Sequence, residues 1–229
     1  MNAGWGALSF IAFGVMALCA TAHGQTVADD CVTVSRPKAG TSVAHRFTDP
    51  AGTVSTSTTE YLAVSDTSVR LRLVHRGAYG VVDTVNDSTV RVEDDLIVVD
   101  TLVSSGTTAH GTYQNTVTFR PGQIGEPASR ICRGRTWTVP AVAVSASGSR
   151  GGLAKTTTTD PGSGRVISVR ESVTVPAGTF ETVHYERVFD GANGHVVERA
   201  WLSVAHGINV KFTHDGPAGT ATQVLTGIR

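Results

Sequence analysis

The chain has 229 residues, with 19 Lys and Arg against 19 Asp and Glu, so its formal net charge is zero. That balance argues against a nucleic-acid binder, which needs a basic stripe, and against a polybasic anchor to anionic lipid. Aromatic residues make up 6% of the chain, too few for a carbohydrate-binding platform.

In chain order, the first feature is an export signal. Leu8 to Ala20 forms a short apolar core, and Ala22-His23-Gly24 offers small residues where a signal peptidase reads. Residues 1–24 read as a signal peptide cleaved before Gln25, although its leading segment has no Lys or Arg. The core is too short for a stable membrane anchor, so no transmembrane span is expected in the mature chain. Cys19 follows Leu18, larger than the residue a lipoprotein signal expects, which favours a plain secretory signal. The mature protein is then expected in the periplasm or the extracellular medium. Residues 25–229 suffice for a single β domain with a sizeable core.

Two cysteines remain, Cys31 and Cys132. In an oxidising compartment an even pair is most simply a disulfide. The alternative is two free thiols, with Cys132 activated by Arg130, Arg133 and Arg135. There is no Cys-x-x-Cys motif.

No segment of helical period follows residue 25. Strand-like runs appear at 32–35, 43–47, 58–64, 69–76, 81–85, 89–93, 96–103 and 112–120. Val69, Leu71 and Leu73 alternate with Arg70 and Arg72, giving one core face and one wet face. Gly77, Gly80, Asn86-Asp87, Asp94-Asp95 and Gly106 mark expected turns. With two Pro and several Gly, residues 121–135 read as a connection between the N-terminal strands, 25–120, and a C-terminal meander, 136–229. In the meander, runs at 136–145, 154–159 and 164–175 surround Asp160-Pro-Gly-Ser-Gly164, which reads as a hairpin turn.

The next turn, Pro176-Ala177-Gly178, sits between two β-prone runs. Pro presets the second turn position, and Gly178 supplies a positive φ that a side chain would oppose. Runs at 182–189 and 196–204 then predict an antiparallel hairpin. The preferred register sets Glu186 against Arg199 and Arg187 against Glu198, so that opposite charges meet on both faces.

These residues carry a resemblance. Val173-Thr-Val-Pro-Ala-Gly-Thr-Phe180, a following Trp-containing strand and His206-Gly-Ile-Asn-Val-Lys211 resemble the C-terminal half of the DUF3108 and TapB-like families of exported bacterial proteins. Cys132-Arg-Gly-Arg-Thr-Trp137 is similar to members of the same group. The likeness covers roughly the last hundred residues, about the size of a small domain. His206 and Asn209 stand where the family often carries Pro or Gly. The resemblance implies an exported, mostly β protein on a large curved sheet, and it implies no established catalytic residues.

Candidate sites are few. His184, His195, His206 and His214 cluster in the meander, and His184 shares a strand face with Glu186, but no metal-ligand spacing occurs and a solvated polar face is the simpler reading. No Gly-x-Ser-x-Gly elbow is present, and no carboxylate pair is singled out. Asn86-Asp-Ser88 matches a glycosylation sequon, read as chance or a turn. No catalytic residue, metal site or cofactor is assigned. What remains is an apolar face, Val183, Tyr185, Leu202 and Val204, which either lines a concavity or forms ordinary core.

The expectation is an exported, soluble, all-β protein: a large curved antiparallel sheet or incompletely closed β-barrel built from meander hairpins, with little helix. It is expected to be non-enzymatic, holding an apolar small molecule or lipid in the sheet's concavity. One rival is an assembly factor that pairs with another envelope protein through a sheet edge. The other is a hydrolase with an unrecognised site.

Overall fold

The computed structural model describes residues 30–77, 80–108, 111–127, 129–148, 155–191 and 194–229. The signal segment 1–24 and its cleavage point before Gln25 lie outside them. The elements are β1 (Cys31–Thr33), β2 (Ser42–Thr48), β3 (Val54–Val64), β4 (Ser68–Gly77), β5 (Gly80–Glu93), β6 (Leu96–Thr108), β7 (Gly111–Pro127) and β8 (Arg130–Cys132). They continue with β9 (Thr136–Val139), β10 (Ala143–Gly148), β11 (Lys155–Thr158), β12 (Gly162–Val175), β13 (Gly178–Gly191), β14 (Gly194–Ser203), β15 (Asn209–Gly216) and β16 (Gly219–Ile228). No helix occurs among the described residues. Fourteen strands form one antiparallel sheet in the order β11-β10-β7-β6-β5-β4-β3-β2-β16-β15-β14-β13-β12-β9, and β1 and β8 form a separate two-stranded ribbon.

Alternation explains most of this sheet. In β4, Val69 and Leu71 are buried while Arg70 and Arg72 face water and pair across the strand with Asp87 and Asp83 of β5. Asn86 and Asp87 are not a turn: β5 runs straight through them, with Asn86 opposite Leu71 and Asp87 opposite Arg70. Asn86 is buried, so its sequon is a chance match. The turn comes at Asp94 and Asp95, with φ of 50° and 56°. Two positive φ values in a two-residue loop are what a tight hairpin of the right twist requires, and Asp tolerates them. Gly106 is likewise inside a strand, where a Cβ would lie 2.3 Å from the Asp83 carbonyl oxygen. Close backbone approach, not a turn, accounts for that glycine.

Two further expectations are corrected. The 121–135 segment is not a bare connection, because β7 continues to Pro127 and β8 follows. Nor is 160–164 a hairpin turn. Residues 136–148 and 155–165 form one long hairpin, whose register is unchanged from Ala143 opposite Thr158 to Val139 opposite Gly162. It bends at Pro140 and Pro161, which offer no N–H to a ladder. Thr159 N–H donates to the Val142 carbonyl at 2.9 Å, and Val142 N–H donates to Thr159 Oγ1 at 2.9 Å, holding the bend. Beyond it one half lies against β13 and the other against β7. The two ends of the sheet therefore meet through this hairpin, but β9 and β11 each keep an unpaired edge among the described residues. The sheet curls without closing into a true barrel.

The interior holds two apolar clusters. One gathers Val43, Tyr61, Val69, Ile97, Ile208 and Leu225 with their neighbours, capped by Val173, Val175 and Phe180 from the β12–β13 turn. Gly178 takes φ 133° there, outside the range that side chains favour. The other gathers Trp137, Val166, Val183, Tyr185 and Leu202 under the ribbon residues Val32, Val34 and Ile131. The ribbon is pinned by a Cys31–Cys132 disulfide, with Cα atoms 3.9 Å apart.

His45 is 7% exposed in this interior. Its Nε2–H donates to the Asn209 carbonyl at 2.9 Å, while Nδ1 is buried without a partner. Burial holds its pKa below the ordinary histidine value, and the Asn209 bond only partly offsets that. A histidine lowered in the folded state leaves stability intact above the unfolded value of about 6.5 and removes it as pH falls from there. His75 and His184, also lowered by burial, act in the same direction; His214, raised by its bond to Glu198, opposes them. The melting temperature should therefore fall between about pH 7.5 and 5.5, with one proton contributing at most about 1.4 kcal/mol per pH unit. His45→Gln should flatten that slope, and an unchanged slope would remove His45 as its source.

Candidate functional site

The β13–β14 hairpin has the expected register, with Glu186 opposite Arg199 and Arg187 opposite Glu198. Opposite faces carry the two charge pairs because side chains alternate along a strand. On the outer face, Arg199 bonds Glu186 at 3.0 Å and also reaches Asp215, while Arg165 bonds Glu186 at 3.0 Å. On the inner face, Arg187 meets Glu198 at 2.7 Å and donates to the Gly125 carbonyl at 3.0 Å, tying β13 across the interior to β7. Burial pushes the Glu198 carboxyl up, but Arg187 and His214 outweigh it and hold it below its ordinary value.

Val183, Tyr185 and Leu202 lie together on the inner face, at 0%, 3% and 1% exposure. Val204, just past β14, is half-buried and packs against the same cluster. A side chain lining a void large enough for water keeps accessible surface, so near-zero exposure means that neighbouring atoms fill the space around the first three. The candidate face is packed core, set against Trp137, Val166 and the disulfide ribbon.

The outer face carries a polar cluster that the sequence did not single out. Glu171 is its hub. It accepts from Trp201 Nε1 at 3.0 Å and Ser168 Oγ at 2.8 Å, and His184 Nδ1 lies 3.1 Å away. The His184 ring stacks on Trp201 at 4.3 Å, and the Lys211 ammonium sits 4.6 Å from the indole centre. Burial pushes the Glu171 carboxyl up, but its hydrogen bonds and His184 bring it below its ordinary value. A hydroxyl, a carboxylate and an imidazole thus converge, yet both other groups bond the carboxylate and Ser168 does not bond His184. A nucleophile–base pair needs the hydroxyl on the imidazole. This arrangement braces the irregular pairing of β12 between Ser168 and Glu171. Among the described residues no group of three or more metal-ligating side chains occurs, and His184 and Glu186, which share this face, are engaged with Glu171 and the arginines.

A second feature joins segments distant in sequence. Ser35, Arg36, Pro37, Lys38 and Ala39 form a strap that, with Val64, lines a shallow groove open to solvent. The strap is fixed at both ends. Ser35 N–H donates to the Val204 carbonyl at 2.9 Å, and Gly40 N–H donates to the Tyr61 carbonyl at 2.7 Å. Gly207, at φ 62°, lets it pass, since a Cβ there would meet the Ser35 carbonyl oxygen at 1.9 Å. Pro37, Ala39 and Val64 make the walls apolar, and Arg36 and Lys38 add two cations. Arg36 Nη1 bonds Asp66 at 2.5 Å. Its Nε and Nη2 are sealed from water and have no acceptor.

No known protein-family model matches the chain, and no curated protein or solved structure matches it.

Proposed function

We propose that this is an exported, non-enzymatic envelope protein that holds a small amphipathic molecule in the strap groove rather than in the concavity of the sheet. The supporting observation is the open groove between the strap and Val64, whose walls at Pro37, Ala39 and Val64 are apolar, beside an interior already filled at Val183, Tyr185 and Leu202. The resemblance to exported DUF3108 and TapB-like proteins has no family-model match behind it and adds no ligand to this reading. Native mass spectrometry of protein purified from the envelope, followed by lipid extraction, tests it. A bound species released on denaturation is expected. A bare protein whose melting temperature also ignores added dodecanol and dodecanoate would end the reading.

The rival with an observation of its own is strand pairing with another envelope protein. Pairing of β12 with β13 places Gly162 opposite Phe189, and β13 ends at Gly191. β11 therefore runs past the end of that hairpin, and Thr156, Thr157 and Thr158 are exposed along an open edge. An added strand would protect the amides of Thr156–Thr158 from deuterium exchange in material co-purified with a partner. Groove binding would leave them unchanged.

A further inference from the structure

From the ends of four neighbouring hairpins we infer that this protein docks on a lipid surface with anionic head groups, its apolar tips entering the interface while Arg46 and Arg76 meet the head-group phosphates. The sheet order sets β5-β4, β3-β2, β16-β15 and β14-β13 side by side, and all four hairpins turn at the same end. Neighbouring tips touch. Pro50, in the β2–β3 turn, lies over Gly219, where a Cβ would come within 3.1 Å of the proline. Pro217, in the β15–β16 turn, lies over Gly194, where a Cβ would come within 2.7 Å. Pro50, Ala51, Pro217 and Ala218 are exposed. Val54 at 55% and Val81 at 53% are the two most exposed large apolar side chains among the described residues, and both stand at this end. A lone exposed valine needs no explanation, but a run of apolar residues on adjacent tips marks an interaction surface.

The charges behind the tips name the partner. Arg46, Thr56, Arg76 and Val81 stand opposite one another across β2, β3, β4 and β5, on the outer face. Both arginines are exposed, about 10 Å apart by the strand spacing. Arg70 and Arg72 pair with Asp87 and Asp83, whereas neither Arg46 nor Arg76 is in a salt bridge among the described residues. The carboxylates at this end are occupied: Asp49 accepts the Thr53 N–H at 2.7 Å within its own turn, Asp190 lies beside His195, and Asp215 bonds Arg199. Val54 lies two residues beyond Thr56, so the apolar rim projects roughly 7 Å past the arginine row. Apolar faces of interfacial elements enter the headgroup–acyl boundary by about 5–10 Å, which leaves the arginines level with the phosphates. Two arginines are fewer than the roughly four to eight basic residues of a purely electrostatic anchor, so the apolar tips share the load. The strap groove lies at the other end of β3, beside Val64, and this surface is independent of it.

Co-sedimentation of the purified protein with vesicles of phosphatidylcholine, alone or mixed with phosphatidylglycerol, tests this. Stronger binding to the mixed vesicles is expected, and added salt should weaken it because exposed charges are screened. Arg46→Gln with Arg76→Gln should weaken binding to the mixed vesicles roughly twentyfold, about fivefold for each charge, and leave little difference between the two compositions. Val54→Ser with Val81→Ser should weaken binding to both compositions roughly tenfold. All four positions are exposed, so both double variants should melt as the wild type does. No binding to either vesicle, the result for a rim that docks a protein instead, would overturn the proposal. Equal wild-type binding to the two compositions would overturn the anionic partner. Binding that both double variants leave intact would overturn the assignment of this rim and place the contact elsewhere on the molecule.

Discussion

Replacing Leu202 with Asp is expected to unfold the protein. Leu202 is 1% exposed and packs with Val183, Tyr185, Trp137 and the ribbon residues Val32 and Ile131. Removing a buried leucine side chain costs about 2–5 kcal/mol through lost burial and the void left behind. A carboxylate placed there adds several kcal/mol, whether it stays ionised or is protonated by a raised pKa. Arg187 lies further along the same face, but it is already engaged by Glu198 and the Gly125 carbonyl. Together these terms come to roughly 5–10 kcal/mol, comparable to the roughly 5–15 kcal/mol that holds a typical domain. Circular dichroism should show no cooperative melt for Leu202→Asp. Leu62→Asp, at a position 39% exposed on β3, should shift stability by no more than about 0.5 kcal/mol. A Leu202→Asp protein that melts like the wild type would mean that this face is open to water, and it would return the concavity to consideration as a binding surface.

The β13–β14 hairpin was legible because two independent charge matches, Glu186 with Arg199 and Arg187 with Glu198, select one register, and a slip of one residue loses both. The cysteine pairing followed from having only two candidates. The failures share a cause. Asn86-Asp87 and Gly162–Gly164 have local turn chemistry, and cross-strand pairing overrides it. Asn86 is held opposite Leu71 by the long β4–β5 ladder. Gly164 is a glycine because Trp137 lies over it, where a Cβ would come within 2.1 Å of the indole. Neither neighbour is near in sequence. Likewise the alternation of Val183, Tyr185 and Leu202 says that one face avoids water, but not what covers it. The cover is Trp137, Val166 and the ribbon, brought in from elsewhere in the chain. The groove was not legible at all, since it exists only where the strap after β1 passes Val64 of β3.

Cys132→Ser should produce the other large loss. The disulfide joins residues separated by 101 positions. For a loop of that length the chain-entropy estimate is about 4.7 kcal/mol, drawn from constraint on the unfolded chain. The ribbon it closes has three residue pairs in strands of three residues, a size that is not stable on its own. Yet that ribbon carries Val32, Val34 and Ile131, at 6%, 0% and 0% exposure, onto the cluster around Leu202. The strap of the groove leaves directly from it, starting with the Ser35–Val204 hydrogen bond. A stability loss of about 4–5 kcal/mol in a domain of this size lowers the melting temperature by roughly 10–20 °C. Because the bond acts as a unit, Cys31→Ser with Cys132→Ser should lose no more than either change alone. Deuterium exchange in the reduced protein should quicken first at the amides of Val34 and Ser35, which bond Ser129 and Val204, before the amides of β13 and β14. If chemically verified reduction leaves both the melting temperature and those two amides unchanged, packing alone holds the ribbon, and the disulfide contributes nothing to the strap.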